Sequence, residues 1–108
     1  MPDGPLGRLP IDDPHAPLYS VGQVADMLGV QAAFVRRLDN EEVVQPARTA
    51  GGQRRYSRHD ISQVQAVSSM ADEGMTLVGI RRILALEAEV RALEATIARL
   101  RSKLRDRG

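Results

Sequence analysis

Between Ile83 and Leu104 the sequence repeats aliphatic residues at steps of three and four: Ile83, Leu86, Val90, Leu93, Ile97, Leu100 and Leu104. That period holds all of them on one side of a helix, over a length of roughly 33 Å at about 1.5 Å per residue. A helix lying on its own domain's core accounts for the first turns of this stripe. Beyond residue 90 it does not, because little further sequence is left to cover the apolar side. The repeat therefore predicts a coiled coil with a second chain. Ile83, Val90, Ile97 and Leu104 take a positions, and Leu86, Leu93 and Leu100 take d positions.

Charges beside the stripe set the expected orientation. The e positions are Glu87, Glu94 and Arg101; the g positions are Glu89, Thr96 and Lys103. A parallel in-register pair sets Glu89 against Glu94 of the partner subunit, which is repulsive. An antiparallel pair centred near residue 95 sets Glu87 against Arg101 and Glu89 against Lys103. Exposed pairs contribute only a few tenths of a kcal/mol each, so they select orientation more than they add stability. The expectation is an antiparallel homodimer. Composition agrees: apolar residues make up 43% of the 108, but aromatics only 3%, with no Trp. The core must be small and aliphatic, and burial against a partner chain is expected to supplement it.

Upstream, caps and glycines divide the chain into short helices. Ser20 and Gln23 fit a capping box, with Val21, Val24, Ala25 and Leu28 on one face behind it. Gly29 ends this helix in the manner of a left-handed C-terminal glycine. Ala33, Phe34, Val35 and Leu38 supply the apolar side of the next, so the pair reads as a helix-turn-helix. Val43, Val44 and Pro46 then lead into RTAGGQRRY (48–56), expected to be a basic hairpin turned at Gly51-Gly52. Ser57 and Asp60 form a second capping box, opening a helix with Ile61, Val64, Val67, Ser68 and Ala71 inward and Gly74 at its end. Thr76 caps the last helix, from about Leu77. Residues 1–17 hold five of the six prolines and no apolar period, and read as a disordered arm. The expected division is an arm at 1–17, a head at 18–76, and a helix with a dimerising coil at 77–108.

Net charge is only +1, and the arm and head are not basic in bulk: residues 18–74 hold six Arg against seven acids. Local placement is what matters. Arg48, Arg54, Arg55 and Arg58 lie together with no acid between residues 43 and 59. Planar guanidinium groups at a turn suit bidentate phosphate contacts. If the strand alternates, one of Arg54 and Arg55 must point inward, so the two are not equivalent. Tyr56 is expected to pack its ring under the hairpin, with its hydroxyl left open.

This order of elements, a helix pair, a Gly-rich arginine wing, a capped helix and a dimerising coil, resembles the MerR family of bacterial transcription regulators. The stretches that carry the likeness are YSVGQVADMLGV (19–30), FVRRLDNEEVVQPARTAGGQRRYS (34–57) and DEGMTLVGIRRIL (72–84). Within the family, GGQRRYS and DEGMTLVGIRRI look most like the heat-shock repressor (HspR-like) branch. The resemblance implies a mainly α chain: a winged helix-turn-helix domain followed by a long C-terminal helix that forms an antiparallel coiled-coil dimer. It also implies a sequence-specific transcription regulator binding double-stranded DNA as a homodimer at an inverted-repeat promoter site.

The implied interface joins the second helix to the wing. Gln31, Ala32, Arg36 and Arg37 face the major groove, where glutamine suits adenine and arginine suits guanine. Arg48, Gly52, Gln53, Arg54, Arg55, Tyr56 and Arg58 form the wing surface. The alternative for Arg36 and Arg37 is a solvated helix face, or pairing with Asp26, Asp39 or Glu41. Arg36 matches the family's helix-borne arginine. Arg37 and Leu38 stand where two aromatics are usual, so Arg37 is expected to add a phosphate contact. Glu42 stands where the family usually has glycine, and is expected to strain or reshape that helix end.

Other classes find little support in the residues. The chain has no cysteine, which excludes disulfides and thiolate metal sites. His15 and His59 lack ligand-like spacing, so neither metal nor cofactor is expected. No Ser/His/Asp set, carboxylate pair or phosphate-cradling glycine loop indicates catalysis. No run of 18 apolar residues and no signal pattern is found, so a cytoplasmic, nucleoid-associated protein without membrane contact is expected. With no ligand-binding domain or metal-binding cysteines beyond the coil, no small-molecule effector is expected. The competing reading is an adaptor whose head or coil binds another regulatory protein, supported by the low bulk charge of residues 18–74.

Overall fold

The computed structural model describes residues 12–108. Four helices and one short hairpin follow in order: α1 (Val21–Leu28), α2 (Ala32–Asn40), β1 (Ala47–Arg48), β2 (Arg54–Arg55), α3 (Arg58–Asp72) and α4 (Leu77–Arg107). The helix starts are fixed by side chains. Ser20 Oγ accepts from Gln23 N while Gln23 Oε1 accepts from Ser20 N, at 3.2 and 2.8 Å. Ser57 and Asp60 repeat the exchange at 3.0 and 2.9 Å, and Thr76 Oγ1 accepts from Gly79 N. Each cap satisfies first-turn N–H groups that have no acceptor within the helix.

Helix α2 ends on an unusual residue. Val43 N donates to Leu38 O at 2.8 Å and Glu42 N to Asp39 O at 3.0 Å, the two bonds of a Schellman closure. That closure needs a left-handed residue, and here it is Glu42, at φ 59. A side chain in this region costs about 1–2 kcal/mol relative to glycine. The strain expected at Glu42 is therefore present in the backbone.

The core joins the four helices with Val44 and Tyr56, which flank the hairpin. Val24, Ala25, Val35, Leu38, Val44, Tyr56, Val64, Val67 and Ile80 form one buried cluster, with Val21, Leu28, Phe34, Ile61, Ala71 and Leu84 packed at its edge. The hairpin pairs Ala47 with Arg55 and Arg48 with Arg54, antiparallel. Gly52, at φ 83, turns its tip, where Gly52 N donates to Thr49 O. At its base, Tyr56 bridges Tyr19: Tyr56 N donates to Tyr19 O at 2.7 Å, and Tyr19 N to Tyr56 O at 2.9 Å. The wing is thereby stitched to the entrance of α1.

Two expectations need correction. Residues 1–11 of the expected disordered arm lie outside the described residues, but 12–17 are docked on α3. His59 N donates to Pro14 O at 2.9 Å, Arg58 Nη2 to Asp12 O at 3.0 Å, and Ala16 is buried. Proline-rich composition hid this because the contacts use backbone carbonyls, which the N-terminus of α3 lacks within its own helix. In α2, Ala33 is exposed and Ala32 is half-buried against the core. The helix begins at Ala32, which places that residue on the same face as Val35 and Asp39.

Helix α4 is 31 residues long, roughly 46 Å. Its first turns close the head through Leu77, Ile80 and Leu84. The stripe then rotates out of the head. Ile83 is half-buried, whereas Leu86, Val90, Leu93, Ile97, Leu100 and Leu104 are exposed.

Candidate nucleic-acid interface

An open cleft runs between the start of α1, the outer face of α2 and the wing, lined by Ser20, Gly22, Arg36, Arg48, Gln53 and Arg55 among others. Arg36 is exposed on α2 and has no hydrogen-bond or ion-pair partner among the described residues. Arg37, one position on, donates through Nε to Glu41 Oε2 at 2.6 Å. Both groups of that pair are largely exposed, at 61% and 42%, so it contributes a few tenths of a kcal/mol and leaves Arg37 exchangeable. Gln31 caps α2 through its backbone alone; its exposed side chain makes no cap bond.

The wing arginines divide into two kinds. Arg48 Nη2 and Arg54 Nε both donate to one oxygen of Asp39, at 2.8 and 2.7 Å. Arg48 Nη1 also reaches Gly52 O, and Arg54 Nη2 reaches Asn40 Oδ1. Arg54 is thus the inward member of its pair, and Arg48 and Arg54 both turn toward α2, Arg54 largely covered and Arg48 still 49% exposed at the cleft. Arg55 lies along its own strand, with Nη1 on Arg54 O and Nη2 on Gln53 Oε1. Arg58 is held by the arm through Asp12 O. The absence of acids between residues 43 and 59 pointed to a free patch of four guanidiniums. The fold brings an acid in from α2.

Asp39 is the residue on which the wing arginines converge. It is 9% exposed, on the core face of α2 beside Val35 and Leu38. A carboxylate on an apolar stripe needs cations to satisfy it, and the surplus arginines of the wing were the nearest source. That signal was available in the residue pattern.

Tyr56 is fully buried, and its hydroxyl has no hydrogen-bond partner among the described residues. Burial first, and then the negative charge of Asp39, push its pKa up to about 12. Its ring packs as expected; its hydroxyl is shut away from any phosphate. Ala32, half-buried, is likewise withdrawn from the groove side. The exposed set is Gln31, Arg36 and Arg37 on α2, with Arg48, Gly52, Gln53 and Arg58 on the wing side; Arg54 and Arg55 are half-buried. Among the described residues, no cluster of three metal-ligating side chains occurs. No helix there is long and apolar enough to cross a membrane.

The sequence matches the family model for MerR HTH family regulatory proteins over residues 19–87. It is 39% identical over 89 residues to the heat shock protein HspR of Streptomyces coelicolor, a match covering 82% of this chain and 59% of that protein. The chain thus spans about three-fifths of that relative's length. It is 28% identical over 103 residues to the HTH-type transcriptional regulator GlnR of Bacillus anthracis, covering 88% of this chain and 80% of that one. Among solved structures, the N-terminal part of MtaN, the Bacillus subtilis multidrug transporter activator, superposes with a TM-score of 0.57 at 28% identity. That match covers 81% of this chain and 92% of MtaN's. A MerR-family regulator from Bacillus cereus shares the fold, with a TM-score of 0.57 at 22% identity over 79% of this chain and 68% of that one. The mainly helical fold class and the family resemblance read from the sequence agree with these matches.

Proposed function

Because the chain belongs to the MerR family of helix-turn-helix regulators, we propose that it is a DNA-binding transcription regulator acting as a homodimer on an inverted-repeat promoter site. The head, residues 18–76, binds duplex DNA. Residues 77–108 pair antiparallel with a second copy along Ile83, Leu86, Val90, Leu93, Ile97, Leu100 and Leu104. Helix α2 enters the major groove with Gln31 and Arg36 toward base edges. Arg37, Arg55 and Arg58 meet flanking phosphates, exchanging weak internal bonds for charge-assisted ones. Occupying a promoter in this way represses transcription; no catalytic step is involved, and the setting is the cytoplasmic nucleoid.

The observation that carries this reading is Arg36, exposed and without a partner among the described residues, at the cleft between α2 and the wing. A guanidinium left free where its neighbours are all engaged is available for recognition. Enrichment of bound sequences from a random duplex pool, followed by titration at several salt concentrations, tests the proposal. Affinity should fall steeply with salt, and Arg36→Ala should change which sequences are enriched. Undetectable binding at low salt, or a flat salt response, sinks it and favours the protein-adaptor reading.

A further inference from the structure

The wing is too small to hold its own direction. Its strands are two residues each, and an isolated ribbon of that size does not persist in water. Its base is fixed by the Tyr19–Tyr56 bridge. Above that base, a single atom ties both strands to α2: Asp39 Oδ2 accepts from Arg48 on β1 at 2.8 Å and from Arg54 on β2 at 2.7 Å. The same Arg48 guanidinium braces the wing turn through Gly52 O at 3.0 Å, and Arg54 reaches Asn40 on α2 at 3.2 Å. Asp39 is the buried carboxylate among the described residues. A rigid planar fork on each arginine makes these bonds directional.

We infer that Asp39 is a positioning residue for DNA docking. It sets the wing against α2 so that Arg36 and the outer wing surface meet the duplex together. Arg48 and Arg54 act through Asp39 and do not serve as phosphate ligands. The inference rests on the reading of the chain as a duplex-DNA binder, and it revises the wing's expected division of labour.

Two roles for the cluster give opposite signs on one substitution. Asp39→Asn keeps the side chain's shape and removes its charge. If Asp39 only masks two phosphate ligands, this variant binds DNA more tightly, with a steeper salt dependence. If Asp39 positions the wing, it binds the specific site more weakly despite the added net positive charge. The full chain is titrated against two probes: a duplex of about 30 bp enriched by the wild type, spanning two half-sites, and the unselected random pool.

Positioning predicts a loss of about tenfold or more on the enriched duplex, with pool binding little changed. Arg54→Lys, which keeps the charge and loses the fork, should lose affinity for the enriched duplex in the same way. Tighter binding by Asp39→Asn, or unchanged affinity of Arg54→Lys for the enriched duplex, overturns the inference. Far-UV circular dichroism identifies a variant that has merely unfolded. If Asp39→Asn fails to fold, Arg54→Lys decides alone. A wild type that binds neither probe at low salt removes the DNA reading and this inference together; a binding wild type with a tighter Asp39→Asn removes the inference only.

Discussion

The head and the outer part of α4 treat the same residue types in opposite ways. In the head, Val24, Val35, Leu38, Val64 and Val67 have no exposed surface, nor does Ile80 in the first turn of α4 that closes it. Along α4, Leu86, Val90, Leu93, Ile97, Leu100 and Leu104 remain 42–69% exposed. Both sets follow helical spacing, so local pattern does not distinguish them. The difference is topological. Three helices fold back on one another and close over the start of α4, whereas among the described residues the rest of α4 has no second element beside it. The head buries its aliphatics within one chain, and the stripe of α4 leaves an exposed apolar surface, which the proposed dimer would cover.

The sharpest way to break this contrast is to substitute one aliphatic in each region. Leu93→Asp combined with Ile97→Asp places charge on the exposed stripe, where burial against a partner costs several kcal/mol per group. Analytical ultracentrifugation should then show loss of self-association at concentrations where the wild type is dimeric, with the head still folded. Leu38→Ala acts on the other region, creating a cavity worth about 3 kcal/mol, read as a lower urea midpoint. If the stripe variant unfolds the head, the two regions are not separate units.

The head also carries a pH response. Tyr56 has its pKa raised from 10.0 to about 12 by burial and by Asp39. A group with a raised folded-state pKa stabilises the fold fully below its unfolded value and loses that contribution as pH rises through the folded one. Stability from Tyr56 is therefore present below about pH 10 and fades between about pH 10 and 12, by an amount on the order of 2 kcal/mol. Urea titrations across that range should show the wild-type midpoint falling more steeply than that of Tyr56→Phe.

The smallest expected effect lies at the junction of the two regions. Glu42, at φ 59, adjoins Arg81 of α4, whose Nη1 donates to Glu41 O at 3.3 Å. Glu42→Gly removes the left-handed strain and should stabilise the head by about 1 kcal/mol, seen as a melting temperature higher by about 5 °C. A decrease instead shows that the side chain of Glu42 contributes more than its backbone costs.

Much of this was legible in the residues. Ser20, Gln23, Ser57, Asp60 and Thr76 announce helix starts because a cap is a local exchange between residues three apart. Gly29 and Gly74 mark ends for the same local reason. What escaped was non-local. The docking of residues 12–17 rests on backbone carbonyls meeting α3, which no side-chain pattern records. The pairing of Asp39 with Arg48 and Arg54 spans 9 and 15 residues and depends on how the wing folds over α2. Strand alternation already made Arg54 and Arg55 unequal in sequence; which of them turns inward, and that Arg48 joins it on Asp39, came only with packing.

The most direct measurement is a hydroxyl-radical footprint of the wild-type chain on its enriched duplex. Two symmetry-related protected patches are expected, with centres about 34–36 Å apart or slightly more. They should collapse together when Leu93→Asp and Ile97→Asp separate the chains. A single asymmetric patch, or protection that persists unchanged in that variant, contradicts the dimeric reading.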